Sequence, residues 1–173
     1  MFSSLGFSSG GWGKSSVDFS KVTFEEVGAR FAYVLAEVPD ILEIEVFGSM
    51  AREGEGHDLD LILIVTEPNW RSFESMVNFL DLAVANGKNE DLRLVSGPGR
   101  RFRAMEYVLG SGLGEALSKL ELDTGVPLDV YLFPSDWKSR LPELQRVFPH
   151  EDPKFMENIA KDVQSLEEML TPA

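Results

Sequence analysis

Apolar residues recur along this chain with two different periods, and the switches between them outline alternating helices and strands. Phe24, Val27, Phe31, Val34 and Leu35 keep helical spacing behind Thr23 and Glu26, a pair that caps a helix reciprocally, so a first helix is predicted from Thr23 to near Pro39. Ile41 to Phe47 alternates apolar positions with Glu43 and Glu45 and stops at Gly48, which predicts a strand with one solvated face. Leu59 to Val65, LDLILIV, is almost continuously apolar and suits a central strand covered on both faces. Phe73, Met76, Val77, Leu80, Ala83 and Val84 predict a second helix, closed at Asn86-Gly87, and a short strand is expected around Leu92 to Val95. Phe102, Met105, Leu109, Leu113, Ala116, Leu117 and Leu120 trace a single third helix in spite of Gly110, Gly112 and Gly114. Val126 to Phe133, VPLDVYLF, is the third strand, ended by Pro134. Beyond it Trp137 to Val147 predicts a short helix broken by Pro142. Phe155, Ile159, Val163, Leu166 and Leu170 then form one terminal helical stripe, read as core.

This order predicts an α/β (α+β) fold, a small mixed β-sheet with helices on one main face. Residues 2–16 are mostly Ser and Gly with isolated aromatics, so residues 1–17 read as a flexible tail and residues 18–173 as a single domain. The formal net charge of -13 disfavours extended nucleic acid as a partner and favours multivalent cations. Cysteine is absent, which excludes disulfides, thiolate zinc and a cysteine nucleophile. The two histidines, His57 and His150, are too far apart to suggest zinc and read as surface residues. No apolar run is long enough for a membrane span, so no membrane partner and a cytoplasmic location are expected. The one basic cluster, Arg93, Arg100, Arg101 and Arg103 on a Gly97-Pro98-Gly99 mount, suits either an anionic ligand or a solvated loop.

The candidate chemistry lies between Val46 and Val65. Asp58 and Asp60 stand two apart at the start of a strand and therefore project to one side, while Leu59 and Leu61 face the other. Two aspartates beside a turn often form nothing more than a solvated hairpin end. A third acid, Asp129, lies inside the later strand between Leu128 and Val130, where a lone charge would be costly if buried. If that strand pairs beside Leu59 to Val65, three carboxylates converge and can hold two hard cations roughly 4 Å apart, the spacing for in-line phosphoryl displacement. Gly48 permits close backbone approach, Ser49 offers a hydroxyl and an amide, and Arg52 a planar charged donor, together a half-site for triphosphate oxygens.

Phe47-Gly48-Ser49-Met50-Ala51-Arg52, then Asp58-Leu59-Asp60-Leu61, then Asp129 resemble the signature of the DNA polymerase beta-like nucleotidyltransferases. The likeness covers Ile41 to Val65 well and Val126 to Phe133 moderately, and the eight residues between Ser49 and Asp58 are a shorter linker than is usual in that family. The resemblance implies transfer of a nucleoside monophosphate from a nucleoside triphosphate, ATP being the expected donor, to an acceptor hydroxyl. It implies two Mg2+ ions held by Asp58, Asp60 and Asp129, nucleotide binding by Gly48, Ser49 and Arg52, and Asp129 as the acid that takes the acceptor's proton. The size resembles the minimal nucleotidyltransferases that serve as antitoxins by modifying a partner toxin. Other acceptors open to the family are an aminoglycoside-like molecule or an RNA end. The rival expectation is a non-catalytic module that binds a nucleotide or a partner through the same fold.

Overall fold

Thr23 opens the first helix as the spacing predicts. Its hydroxyl accepts from Glu26 N at 3.3 Å while Glu26 Oε2 accepts from Thr23 N at 3.0 Å, closing the reciprocal cap. The computed structural model describes residues 21–87, 97–149 and 151–171. The tail assigned to residues 1–17, the strand expected at Leu92 to Val95, Arg93 and His150 lie outside those residues.

The elements in chain order are β1 (Val22–Thr23), α1 (Phe24–Leu35), β2 (Glu43–Phe47), α2 (Gly48–Glu53), β3 (Glu55–Gly56), β4 (Leu59–Val65), α3 (Glu67–Ala85), α4 (Gly97–Leu109), α5 (Gly112–Thr124), β5 (Leu128–Pro134), a 3-10 turn (Trp137–Ser139), α6 (Leu141–Val147), α7 (Pro153–Asp162), β6 (Gln164–Ser165) and α8 (Leu166–Leu170). The fold is mixed α+β. A four-stranded sheet runs β5-β4-β2-β6, and β1 and β3 form a separate two-stranded ribbon. β4 pairs parallel with β5 and antiparallel with β2, and β6 pairs antiparallel with the other edge of β2.

Every residue of β4 and of β5 is buried, so both faces of the sheet are covered along these strands, as the apolar run Leu59 to Val65 predicts. One face carries Phe47, Glu45, Ile62, Ile64, Tyr131 and Phe133, as the strand register and the alternation of side chains require. The Phe133 ring meets Trp137 and Phe148 there, and Phe73 of α3 stacks on Phe148 at 5.9 Å. The solvated face expected for β2 is covered in its middle. Trp137 Nε1 donates to Glu45 Oε1 at 2.8 Å, and burial raises the Glu45 carboxyl above the usual range while that hydrogen bond opposes the shift.

Four further expectations change, each for a local reason. The third helix is two, because Gly110 adopts φ +98 and ends α4, after which α5 starts afresh. Gly97-Pro98-Gly99 forms the first residues of α4 and is no loop. Pro142 does not break a helix but occupies the first turn of α6, where its missing N–H costs nothing. The terminal stripe is not one helix: Val163 is extended, with ψ 139, and Gln164–Ser165 leave the helix to extend the sheet beside Glu45 and Val46. Ser165 then caps α8 by accepting from Glu168 N at 3.4 Å. Of the predicted stripe, Ile159 and Leu166 are buried, and Phe155, Val163 and Leu170 are partly buried against the core.

Two residues of the expected basic cluster tie α4 to α3. Arg101 is 4% exposed and donates to Asp81 Oδ2 at 2.7 Å and to the Val147 carbonyl at 2.8 Å, and Arg100 Nε donates to Asp81 Oδ1 at 3.0 Å. Burial alone would raise the Asp81 carboxyl, but the hydrogen bonds from Arg101 and Arg100 outweigh it and hold the group below the usual aspartate range. Asp81→Asn strips a buried guanidinium of its counter-charge and is expected to cost about 2 kcal/mol at neutral pH, the low end for such a pair because Asp81 is itself 35% exposed. Urea unfolding checks this. The difference between wild type and variant should be full above the ordinary aspartate range and vanish as pH falls through the depressed Asp81 value.

Candidate metal centre

Asp60 is the second residue of β4 and Asp129 the second of β5, and the parallel ladder sets them directly opposite each other. Their side chains therefore leave the sheet on the same face. Asp58 precedes Leu59, whose N–H bonds the Pro127 carbonyl at 3.0 Å, so the approach to β4 is already held against the approach to β5. One carboxylate oxygen from each of Asp58, Asp60 and Asp129 lies within 4.8 Å of the other two. Asp60 is 8% and Asp129 3% exposed, and Asp58 is half-buried. Among the described residues β5 is an edge strand, yet the Asp129 side chain is covered.

Ionised carboxylates at that separation repel by roughly 3 kcal/mol per pair at an effective dielectric of ~20. A shared proton or a bound cation relieves the repulsion. The donor set is oxygen alone, which suits magnesium, manganese or calcium over zinc, and its convergence on one point fits a small divalent ion that completes its shell with water and phosphate.

The turn from β2 into α2 makes room for this arrangement. Gly48 has φ +75, and a Cβ there would overlap Asp60 Oδ2, so only glycine lets the backbone lie against that carboxylate. α2 begins at Gly48 with no side-chain cap, since Phe47 offers no acceptor. Ser49 follows as the second residue of α2. Its hydroxyl lies where a Cβ on Gly56 would be, and Gly56 is held in β3 by pairing with Val22. The short linker between Ser49 and Asp58 thus contains a helix and a strand, and Phe24 N bonds the Gly54 carbonyl at 2.8 Å to pin it to α1.

Arg52, the remaining predicted nucleotide-binding residue, sits in the last turn of α2 and pairs with Asp162 Oδ2 of α7 at 3.1 Å. His57 is exposed, as expected. Arg103 is exposed on α4, apart from the Asp81 cluster that Arg100 and Arg101 serve.

Several neighbours of the acids were not singled out from sequence. Tyr131 follows Asp129 by two on β5, so it shares its face, and its ring lies 5.7 Å from both Phe47 and Phe155. Phe47 and Phe155 are themselves 5.9 Å apart, which closes an aromatic triangle beside the carboxylates. Tyr131 was detectable from the period of two; Gly56 and Phe155 were not, because they reach the site only through tertiary packing.

Scans of family models and searches of curated proteins and of solved structures give no match to this chain. Among the described residues no helix is long and apolar enough to cross a membrane.

Gly48→Ala adds backbone strain of about 1–2 kcal/mol and also displaces the Asp60 carboxylate. Gly110→Ala, at φ +98 with open space around it, adds the strain alone. Both variants should unfold at lower urea concentration, and only Gly48→Ala should also lose Mn2+ binding, followed by the electron paramagnetic resonance signal of free Mn2+.

Proposed function

We propose that this protein is a metal-dependent nucleotidyltransferase that moves a nucleoside monophosphate from a nucleoside triphosphate to an acceptor hydroxyl. The observation that carries the reading is the convergence of Asp58, Asp60 and Asp129 on one point of a largely buried sheet end. A structural role does not ask for three acids in that place, since any one of them could be replaced there by a neutral residue at lower electrostatic cost.

In this reading Asp58, Asp60 and Asp129 would hold two Mg2+ ions. Bound there, the ions supply charge neutralisation for the phosphates and for the acceptor oxygen. Asp129, buried and fixed by its strand, takes the proton of the acceptor hydroxyl. The acceptor oxygen forms a bond to the α-phosphorus, the bond from that phosphorus to the bridging oxygen breaks, and pyrophosphate leaves with the electron pair. Ser49 lies in the first turn of α2 and offers hydroxyl and amide to the departing phosphates. Arg52 joins them by exchanging Asp162 for a phosphate oxygen. ATP is the expected donor, and a hydroxyl on a partner protein is the acceptor that the chain's acidity favours over extended nucleic acid.

The Arg52–Asp162 pair favours a second reading, a module that binds a nucleotide or a partner without transferring anything. The two separate in one experiment. Purified protein with Mg2+ and each α-labelled nucleoside triphosphate in host lysate should label an acceptor, and Asp58→Asn and Asp60→Asn should each abolish the label while unfolding, without metal, at a temperature no lower than wild type. Metal-dependent nucleotide binding without label would select the binding module, and neither binding nor label would overturn both.

A further inference from the structure

Asp162 is the last residue of α7, and the unpaired carbonyls at the end of a helix make its C-terminus a poor place for a negative charge. By itself α7 is weakened by an aspartate at that position. The carboxylate instead crosses to α2, where Asp162 Oδ2 meets Arg52 Nη1 at 3.1 Å with the two side chains 28% and 48% exposed. Two residues further on, the Gln164 side chain reaches the same helix and donates to the Ala51 carbonyl, while β6 sets Gln164 opposite Val46. The turn from α7 into β6 thus grips α2 twice.

The two grips differ in kind. Gln164 holds a main-chain carbonyl and so fixes where α2 lies. Asp162 holds only the far end of a long side chain, which can turn away with α2 unmoved. Arg52 stands three residues after Ser49, so both lie on one side of α2, about one turn or roughly 5 Å apart along the axis. The start of that turn is fixed against the acids, because Gly48 lies against the Asp60 carboxylate. A guanidinium that leaves Asp162 therefore sweeps the flank that carries Ser49. Carboxylate and phosphate oxygens are alternative acceptors for the same planar donor, so they compete for it.

We infer that Asp162 is an internal competitor for the nucleotide: its carboxylate stands in for a phosphate oxygen on Arg52, and triphosphate binding proceeds by displacing it. The inference rests on the proposed nucleotide-binding role of Arg52. It adds a residue outside the motif and the acid triad, and it gives Asp162 an effect opposite in sign to that of a supporting ion pair. Removing the carboxylate should tighten the nucleotide rather than loosen it.

Calorimetric titration of the full chain with Mg2+-ATP, and with the other three nucleoside triphosphates if ATP is not bound, tests this in a double-variant cycle, with thermal unfolding recorded for each protein. Asp162→Asn keeps the shape and releases Arg52, so the nucleotide should bind about two- to fivefold more tightly, a factor set by the strength of a half-exposed ion pair. Arg52→Gln should weaken binding, and adding Asp162→Asn to it should change nothing further, because the competitor then has no guanidinium to withhold. Glu157→Gln removes one charge from an exposed position of the same helix and should leave the affinity as in wild type. Asp162→Ser runs alongside Asp162→Asn, so that a folding defect peculiar to one side chain does not decide the outcome. Unchanged or weaker binding in both Asp162 variants overturns the competitor. So does equal tightening by Glu157→Gln, or full tightening in the Arg52→Gln background, since either would be a general effect of charge. In those cases wild-type binding that is lost in Asp60→Asn still sustains the proposed function. Wild-type protein that binds no nucleoside triphosphate overturns the nucleotide site and the competitor together.

Discussion

Parallel pairing of β4 with β5 sets Asp60 opposite Asp129, and much of the surrounding structure accommodates that one juxtaposition. Two aspartates held side by side at the covered end of a sheet oppose folding unless something offsets their charge. The ladder that creates the conflict is also the best-supported part of the molecule, since all seven residues of each strand are buried and every position from Leu59 to Val65 has a partner. Hydrophobic burial on both faces is what makes the strained pair affordable, and a bound cation would turn it from a cost into a binding site.

Around the pair, glycine and aromatic residues do different jobs. Gly48 and Gly56 remove side-chain volume so that α2 and β3 can close on the carboxylates, with Ser49 between them. Phe47, Tyr131 and Phe155 supply the opposite, three rings packed edge to face or tilted on one another on the face that carries Asp60 and Asp129. The ribbon of β1 with β3 and the Phe24–Gly54 hydrogen bond keep the short linker from collapsing into a simple hairpin. The terminal segment reinforces the same end of the molecule, because Asp162 meets Arg52 and β6 seals the free edge of β2.

Where sequence patterning failed, it did so at points where periodicity cannot see a change of direction. Apolar spacing across Leu109 and Leu113 continues unbroken through Gly110, yet a left-handed backbone there divides α4 from α5. Val163 keeps its place in the terminal stripe while its backbone extends, because pairing with Glu45 and Val46 satisfies the chain better than another helical turn. Glu45 looked solvated because alternation alone marks it as outward; the Trp137 indole covers that face from far along the chain. Arg100 and Arg101 looked available for anions, and it is Asp81, one helix earlier, that engages them.

By itself the sequence determined the mixed α+β class, the three main strands, the capped start of α1 and the shared side of Asp58 and Asp60, because each follows from residues close together in the chain. Only the tertiary structure decided that Asp129 stands in register with Asp60, that Gly48 lies against the Asp60 carboxylate, and that Tyr131 reaches Glu151. Those contacts join residues brought together by strand pairing and core packing. Their geometry depends on the register and layering of the whole sheet, which no local period of two or 3.6 can encode.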